Sequence, residues 1–160
     1  MGKQKEVKTN AMRILDRQKI PYQTYTYECD EFVDAQQTAD LLGFAHETMF
    51  KTLVTVSPNR NYFVFVIPID EELDLKKAAK AASQKSLAMI HVKEINQITG
   101  YIRGGCTAIG MKKQYPVFID ASAVLHERII VSGGKLGAQI ELAPQHLADA
   151  CQGSFCELTR

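Results

Sequence analysis

The sequence predicts an α+β fold: one domain over residues 1–160, with a central mixed β-sheet flanked by helices. Three observations predict it. Residues 50–69 hold two apolar, β-branched runs, "FKTLVTV" and "YFVFVIPI", around a polar "SPNRN" turn, the pattern of a hairpin of buried strands. Helical and strand-like stretches are interspersed irregularly and not in strict βαβ alternation. No repeat, linker or low-complexity segment divides the 160 residues, and 46% hydrophobic content is enough for one substantial core.

Taken in order, Val7, Ala11, Ile14 and Leu15 recur at helical spacing, and Pro21 bounds that helix. "YQTYTYE" alternates like a strand. Asp34 with Gln37 three residues later has the spacing of a helix cap, and Leu41, Leu42 and Gly43 read as the helix end. In "MFKTLVTV", strand alternation puts Phe50, Thr52, Val54 and Val56 on one face. Met49, Lys51, Leu53 and Thr55 share the other. Lys51 is the anomaly there. It guards a sheet edge, snorkels its ammonium to water along an apolar stem, or stands in a pocket wall facing a carbonyl, carboxylate or phosphate.

Further on, Asp74 can cap "LKKAAKAAS", where Leu75, Ala78, Ala79 and Ala82 form one face and Lys76, Lys77 and Lys80 another. "LAMI" reads as a short strand and "VKEINQITG" as a short helix closed by Gly100. Strands return at "VFID", "RIIVS" and "QIEL", and a last helix begins near Pro144.

Composition narrows the classes of function. Charged residues are 23% of the chain, too ordinary for a disordered protein, and no apolar run approaches the roughly 20 residues that span a bilayer. "MGKQKEVKTN" lacks the apolar stretch of a signal peptide, and Gly2 has no Ser or Thr at the later position of a myristoylation motif; the expected address is the cytoplasm, with no membrane partner. A net charge of +1 makes any nucleic-acid contact local, or shared with another protein. Cys29, Cys106, Cys151 and Cys156 contain no C-x-x-C pair, and His46, His91, His126 and His146 are scattered, so no zinc pattern forms.

Two glycine-rich segments remain. "GYIRGGCTAIGMKK" places Gly100, Gly104, Gly105 and Gly110 within eleven residues, which suits either an irregular loop or one whose N–H groups approach a ligand. It has neither phosphate-loop nor dinucleotide spacing. "IIVSGGKLG" runs from a strand into Ser132, Gly133 and Gly134; it is a hairpin turn, a binding loop, or both, and Ser132 lacks the context of a nucleophile elbow. Cys106 has no activating base in view.

"FKTLV", "GYIRGGCTAIGMKK", "FIDASA" and "IIVSGGKLGAQIEL" stand in the order found in the YbaK/EbsC family of bacterial aminoacyl-tRNA deacylases. "LDLKKAAKA" fits too, and the resemblance covers nearly the whole chain. The family is related to the editing domain of prolyl-tRNA synthetases, so the resemblance implies a partly barrel-like central sheet. It implies removal of cysteine misattached to proline tRNA, often alongside prolyl-tRNA synthetase. The proposed chemistry is substrate-assisted: the cysteine's own thiol attacks the ester and closes a small thiolactone ring. The implied substrate end is the 3′-terminal aminoacyl-adenosine, with no cofactor or metal.

Position by position, the resemblance places the family lysine on Lys51 and the following threonine on Thr52. The first-strand tyrosine falls on Tyr27, the glycine-loop positions on Gly104 and Gly105, and the serine with its paired glycines on Ser132, Gly133 and Gly134. Lys51 would hold the terminal ribose or phosphate, or meet developing negative charge. Gly104 and Gly105 would offer N–H donors to the ester oxygen, and Tyr27 and Ser132 would orient the aminoacyl end. Two positions depart from the YbaK pattern: Thr107-Ala108 replace Ser-Pro, and Gln139 replaces an aspartate that can pair the substrate's ammonium group. Rival readings are hydrolytic editing of another residue such as alanine, and a non-catalytic module that binds a ligand or partner. Lys112, Lys113 and Lys135 favour a phosphate-bearing ligand.

Overall fold

A computed structural model describes residues 8–28 and 33–160. Val7, Cys29 and the N-terminal decapeptide's first seven residues lie outside the described residues.

Local signals set most elements. Helix α1 (Asn10–Arg17) starts at Thr9, whose hydroxyl accepts from the Met12 N–H, and buries Ala11, Met12 and Leu15. After strand β1 (Gln23–Thr26), helix α2 (Ala35–Leu42) is capped as its sequence predicts. The Asp34 carboxylate accepts from the Gln37 N–H at 2.8 Å, and Gly43 closes the end in the left-handed conformation. A 3-10 turn (His46–Thr48) leads into the hairpin of β2 (Phe50–Val56) and β3 (Tyr62–Pro68). Asp74 caps α3 (Leu75–Ala81) by accepting from the Lys76 and Lys77 N–H groups.

Next come β4 (Ala88–Met89), α4 (Ile95–Thr99) with Gly100 as its left-handed cap, and β5 (Val117–Asp120). The chain closes with β6 (Ile129–Ser132), β7 (Ala138–Leu142), α5 (Pro144–Cys151) and β8 (Gly153–Cys156). Strand β8 has no counterpart among the strands its sequence predicts. "GSFC" is short and half polar, and its place comes from parallel pairing with β5.

The strands form two sheets. One is five-stranded and mixed, in the order β4-β2-β3-β5-β8, with β2–β3 antiparallel and β3–β5–β8 parallel; the other is β1-β7-β6, antiparallel throughout. A parallel bridge between Met49 and Ile130 joins them, so they curve around a shared core without closing a barrel. That core takes Phe50 and Val54 of β2, Val64 and Val66 of β3, and the inner faces of α1, β6, β7 and α5. The opposite face of β3 puts Phe63, Phe65 and Ile67 against α3. Buried on both sides, β3 reads as a continuous apolar run. The observed architecture is the expected single-domain mixed sheet flanked by helices.

Candidate functional site

β4 covers β2 only at Thr55 and Val56, and the bridge to β6 uses Met49. The stretch of β2 between them lines a cleft of about 420 Å³. Its other walls are Tyr27 and α2, the segment from Met89 to Ile95, Arg103–Gly104 with Cys106, and the turn that carries Ser132, Leu136 and Gln139. Lys51, Thr52, Tyr27, Gly104, Ser132 and Gln139, six of the ten residues singled out in the sequence, therefore meet around one space.

Lys51 is half-buried. Its Nζ donates to the Ile69 carbonyl at 3.2 Å, and burial pushes its pKa below the ordinary lysine value, opposed by the charges of Asp70 and Glu72. Alternation decides its face: Met49 and Leu53 pack on the same side, against smaller clusters than the main core. The group most distinctive of the site is Gln139. It is buried, opposite Ser132 in the β6–β7 ladder, and its Oε1 has no hydrogen-bond donor among the described residues. A buried acceptor left unpaired costs about 1–3 kcal/mol, so a donor arriving in the cleft recovers that energy.

Tyr27 adds a second acceptor. The Thr38 hydroxyl spends its proton on the Asp34 carbonyl at 3.1 Å, so in the 3.3 Å contact with Tyr27 the phenol donates. The Tyr27 oxygen thereby keeps lone pairs for a ligand. In the same lining, Gly104 adopts φ +84° and its N–H has no acceptor among the described residues. The cleft thus brings together the Lys51 ammonium, the Gly104 residue and two neutral acceptors, Gln139 and Tyr27.

Gly105, Thr107, Gly133 and Gly134 are not among the residues that line the cleft. The Gly105 N–H is spent on the Ile102 carbonyl at 3.0 Å, so it is no donor to a ligand. The missing side chain of Gly105 lets the loop press against the Lys135 backbone, where a Cβ would stand 2.8 Å from Cα. Thr107 is buried, and its Oγ1 accepts from the Ile109 N–H. Gly133 is tied at both ends, its N–H to Ala138 and its carbonyl to the Thr9 hydroxyl. Gly134, at φ +101°, packs against Thr9 and Tyr101, with its N–H turned to the Ser132 hydroxyl at 3.4 Å.

Cys106 lines the cleft, yet burial pushes its thiol pKa up to about 11 and its Sγ faces Thr99. It stays protonated near neutral pH and is a poor nucleophile. Among the described residues no group of three or more His, Cys, Asp and Glu is placed to hold a metal. Sequence reasoning missed α2 as a wall, with Gln36 and Thr38, and the apolar rim of Met89 and Val92. A polar helix and a two-residue strand carry no signal of a shared cleft.

The model of the aminoacyl-tRNA editing domain matches residues 29–150. Enterococcus faecalis EbsC, whose name assigns it Cys-tRNA(Pro)/Cys-tRNA(Cys) deacylation, is 47% identical over 161 residues, 99% of this chain and 98% of the relative. Two crystallised proteins share the fold. One is described as a trans-editing enzyme for prolyl-tRNA synthetase, with 20% identity, TM-score 0.77 and 87% of each chain covered. The other is a hypothetical protein with 18% identity and TM-score 0.85, covering 92% of this chain and 97% of its own.

Proposed function

This chain belongs to the aminoacyl-tRNA editing domain family, and from that premise we propose that it is a trans-acting deacylase clearing cysteine from mischarged proline tRNA. Cysteinyl-tRNA(Cys) is a second substrate of the same chemistry. The carrying observation is the unpaired Gln139 Oε1 in the same cleft as the Lys51 ammonium. An aminoacyl ester brings an amino group that needs an acceptor and an ester oxygen that needs a cation or N–H.

In this reading the substrate's thiol gives up its proton and its sulfur attacks the ester carbonyl. The C–S bond forms as the C–O bond to the ribose breaks, the ribose oxygen takes a proton, and a small thiolactone departs. Lys51 and the Gly104 N–H meet the negative charge that grows on the ester oxygen, or Lys51 holds the terminal ribose and its phosphate. Gln139 and Tyr27 accept from the amino group, and Thr52 and Ser132 orient the aminoacyl end. Gly105, Thr107, Gly133 and Gly134 keep the two loops at the right separation. The protein needs no nucleophile, which suits a cleft whose Cys106 thiol stays protonated. Gln139 pairs the amino group without a counter-charge, so recognition of that end is weaker than a carboxylate would give.

A net charge of +1 gives little general pull on RNA, which favours delivery of the charged tRNA by prolyl-tRNA synthetase in the cytoplasm. Among the described residues no helix is long and apolar enough to cross a membrane.

The test incubates the protein with Cys-, Ala- and Ser-charged proline tRNA, with and without the synthetase. Cysteinyl ester is cleaved fastest, and Lys51→Ala lowers its rate by about 10²–10³-fold. No cleavage of any ester refutes the enzyme and leaves a binding module. Alanyl or seryl cleavage at the cysteinyl rate refutes thiol assistance in favour of water.

A further inference from the structure

Behind Lys51 runs a chain of polar contacts that the proposed chemistry does not use. The imidazole of His46 lies between two carboxylates, with Nδ1 at 2.8 Å from Asp70 Oδ2 and Nε2 at 2.7 Å from Asp40 Oδ1. A carboxylate accepts and does not donate, so both contacts are hydrogen bonds at once only when both ring nitrogens carry protons and the ring is an imidazolium. The other Asp70 oxygen accepts from Gln36 Nε2 at 3.2 Å, and the same amide donates to the Ile69 carbonyl at 2.8 Å. That carbonyl is also the acceptor of Lys51 Nζ at 3.2 Å.

Two features of this chain point past simple bracing. Asp40 and Gln36 belong to α2, His46 to the turn before β2, and Ile69 and Asp70 to the segment after β3, so three segments around the cleft are tied together at one point. Both Asp70 oxygens are engaged by His46 and Gln36, and the nearby Lys51 ammonium is bonded to a neutral carbonyl instead of that carboxylate. The charged groups facing His46 are Asp40 and Asp70; those acting on Lys51 are Asp70 and Glu72.

We propose that His46 is a positioning residue for Lys51: clasped as a cation between Asp40 and Asp70, it holds α2 to the end of β3 and keeps the Asp70 carboxylate from capturing the Lys51 ammonium. The inference rests on the reading of Lys51 as the group that meets the substrate. A neutral ring donates one hydrogen bond, so loss of the proton frees one carboxylate and leaves Asp70 uncompensated beside Lys51. The carboxylates raise the His46 pKa above the ordinary histidine value, which extends the clasped state upward in pH.

The test follows the Lys51 side chain directly, by its ¹³Cε resonance in the intact protein as pH is varied. In the wild type that resonance shows an inflection coincident with the His46 titration, before Lys51 itself titrates. His46→Gln abolishes the inflection, moves the Lys51 pKa up and lowers kcat/KM for cysteinyl-tRNA by about tenfold. His46→Arg, which keeps a cation between the carboxylates, returns the Lys51 titration toward the wild-type curve. A wild-type Lys51 resonance blind to His46, or an unchanged Lys51 pKa in His46→Gln, overturns the proposal; the first needs no variant to fold. Full activity in Lys51→Ala would instead remove the premise, and the resonance would still report whether the clasp acts on Lys51.

Discussion

Replacing Gly105 with alanine separates packing from backbone freedom in the loop beside the cleft. Gly105 has no left-handed φ, so alanine brings no conformational strain there. Its Cβ would meet Lys135 Cα at 2.8 Å, the carbonyl carbon at 2.9 Å and the nitrogen at 3.1 Å. All three atoms are backbone, so no rotamer relieves the overlap, and the loops must part by about 0.6 Å to reach ordinary contact at 3.4 Å. Overpacking of this kind costs about 1–3 kcal/mol, which for a domain of this size lowers Tm by about 3–10 °C. The same displacement moves Gly104 and Cys106 away from the Ser132–Leu136 side of the cleft, and the rate of cysteinyl-tRNA cleavage falls about 10- to 100-fold. Thermal melts and single-turnover deacylation measure the two effects. Gly43→Ala is the control: φ +76° with nothing within 4 Å of its Cβ, it carries strain without a clash and lowers Tm while leaving the cleft as it is. Wild-type Tm and rate in Gly105→Ala would refute the close approach of the two loops.

Three other outcomes follow. Gln139→Leu removes the unpaired acceptor, so the free protein gains up to about 1 kcal/mol in denaturant unfolding while KM for cysteinyl-tRNA rises. Cys106→Ala retains deacylation, and wild-type Cys106 reacts sluggishly with iodoacetamide at neutral pH, as a thiol with its pKa pushed up to about 11 requires. The His46 clasp gives stability a pH window. The His46 pKa is raised, so its share is full below the ordinary value of 6.5 and is lost as pH rises through the higher folded value. The Asp70 pKa is lowered, chiefly by His46, so its share is present above the ordinary 3.8 and is lost as pH falls through the lower folded value. The Tm difference between wild type and His46→Gln is therefore greatest between those two pH values and shrinks on both sides.

What the sequence alone determined about this protein is what short-range physics controls. Asp34 and Asp74 cap helices because a carboxylate three residues from an exposed N–H reaches it without help from the rest of the chain. Gly43 and Gly100 end helices because the left-handed turn is made locally. Alternation divided β2 into a face with Phe50 and Val54 and a face with Met49, Lys51 and Leu53, as the packing has it. The order of the motifs carried the family, and with it six of the residues that line the cleft.

Tertiary structure alone decided what each side chain meets. Gly104 and Gly105 are neighbours with the same composition, yet one opens on the cleft and the other is pressed on Lys135, because only the folded chain brings residue 135 there. Strand β8 exists through its pairing with β5, and the His46 clasp joins residues 40, 46 and 70 that no periodicity links. Lys51 shows the division most clearly. Its place on the strand is a matter of period two, but its contact with the Ile69 carbonyl, its burial and its setting beside Asp70 arise where separate segments converge.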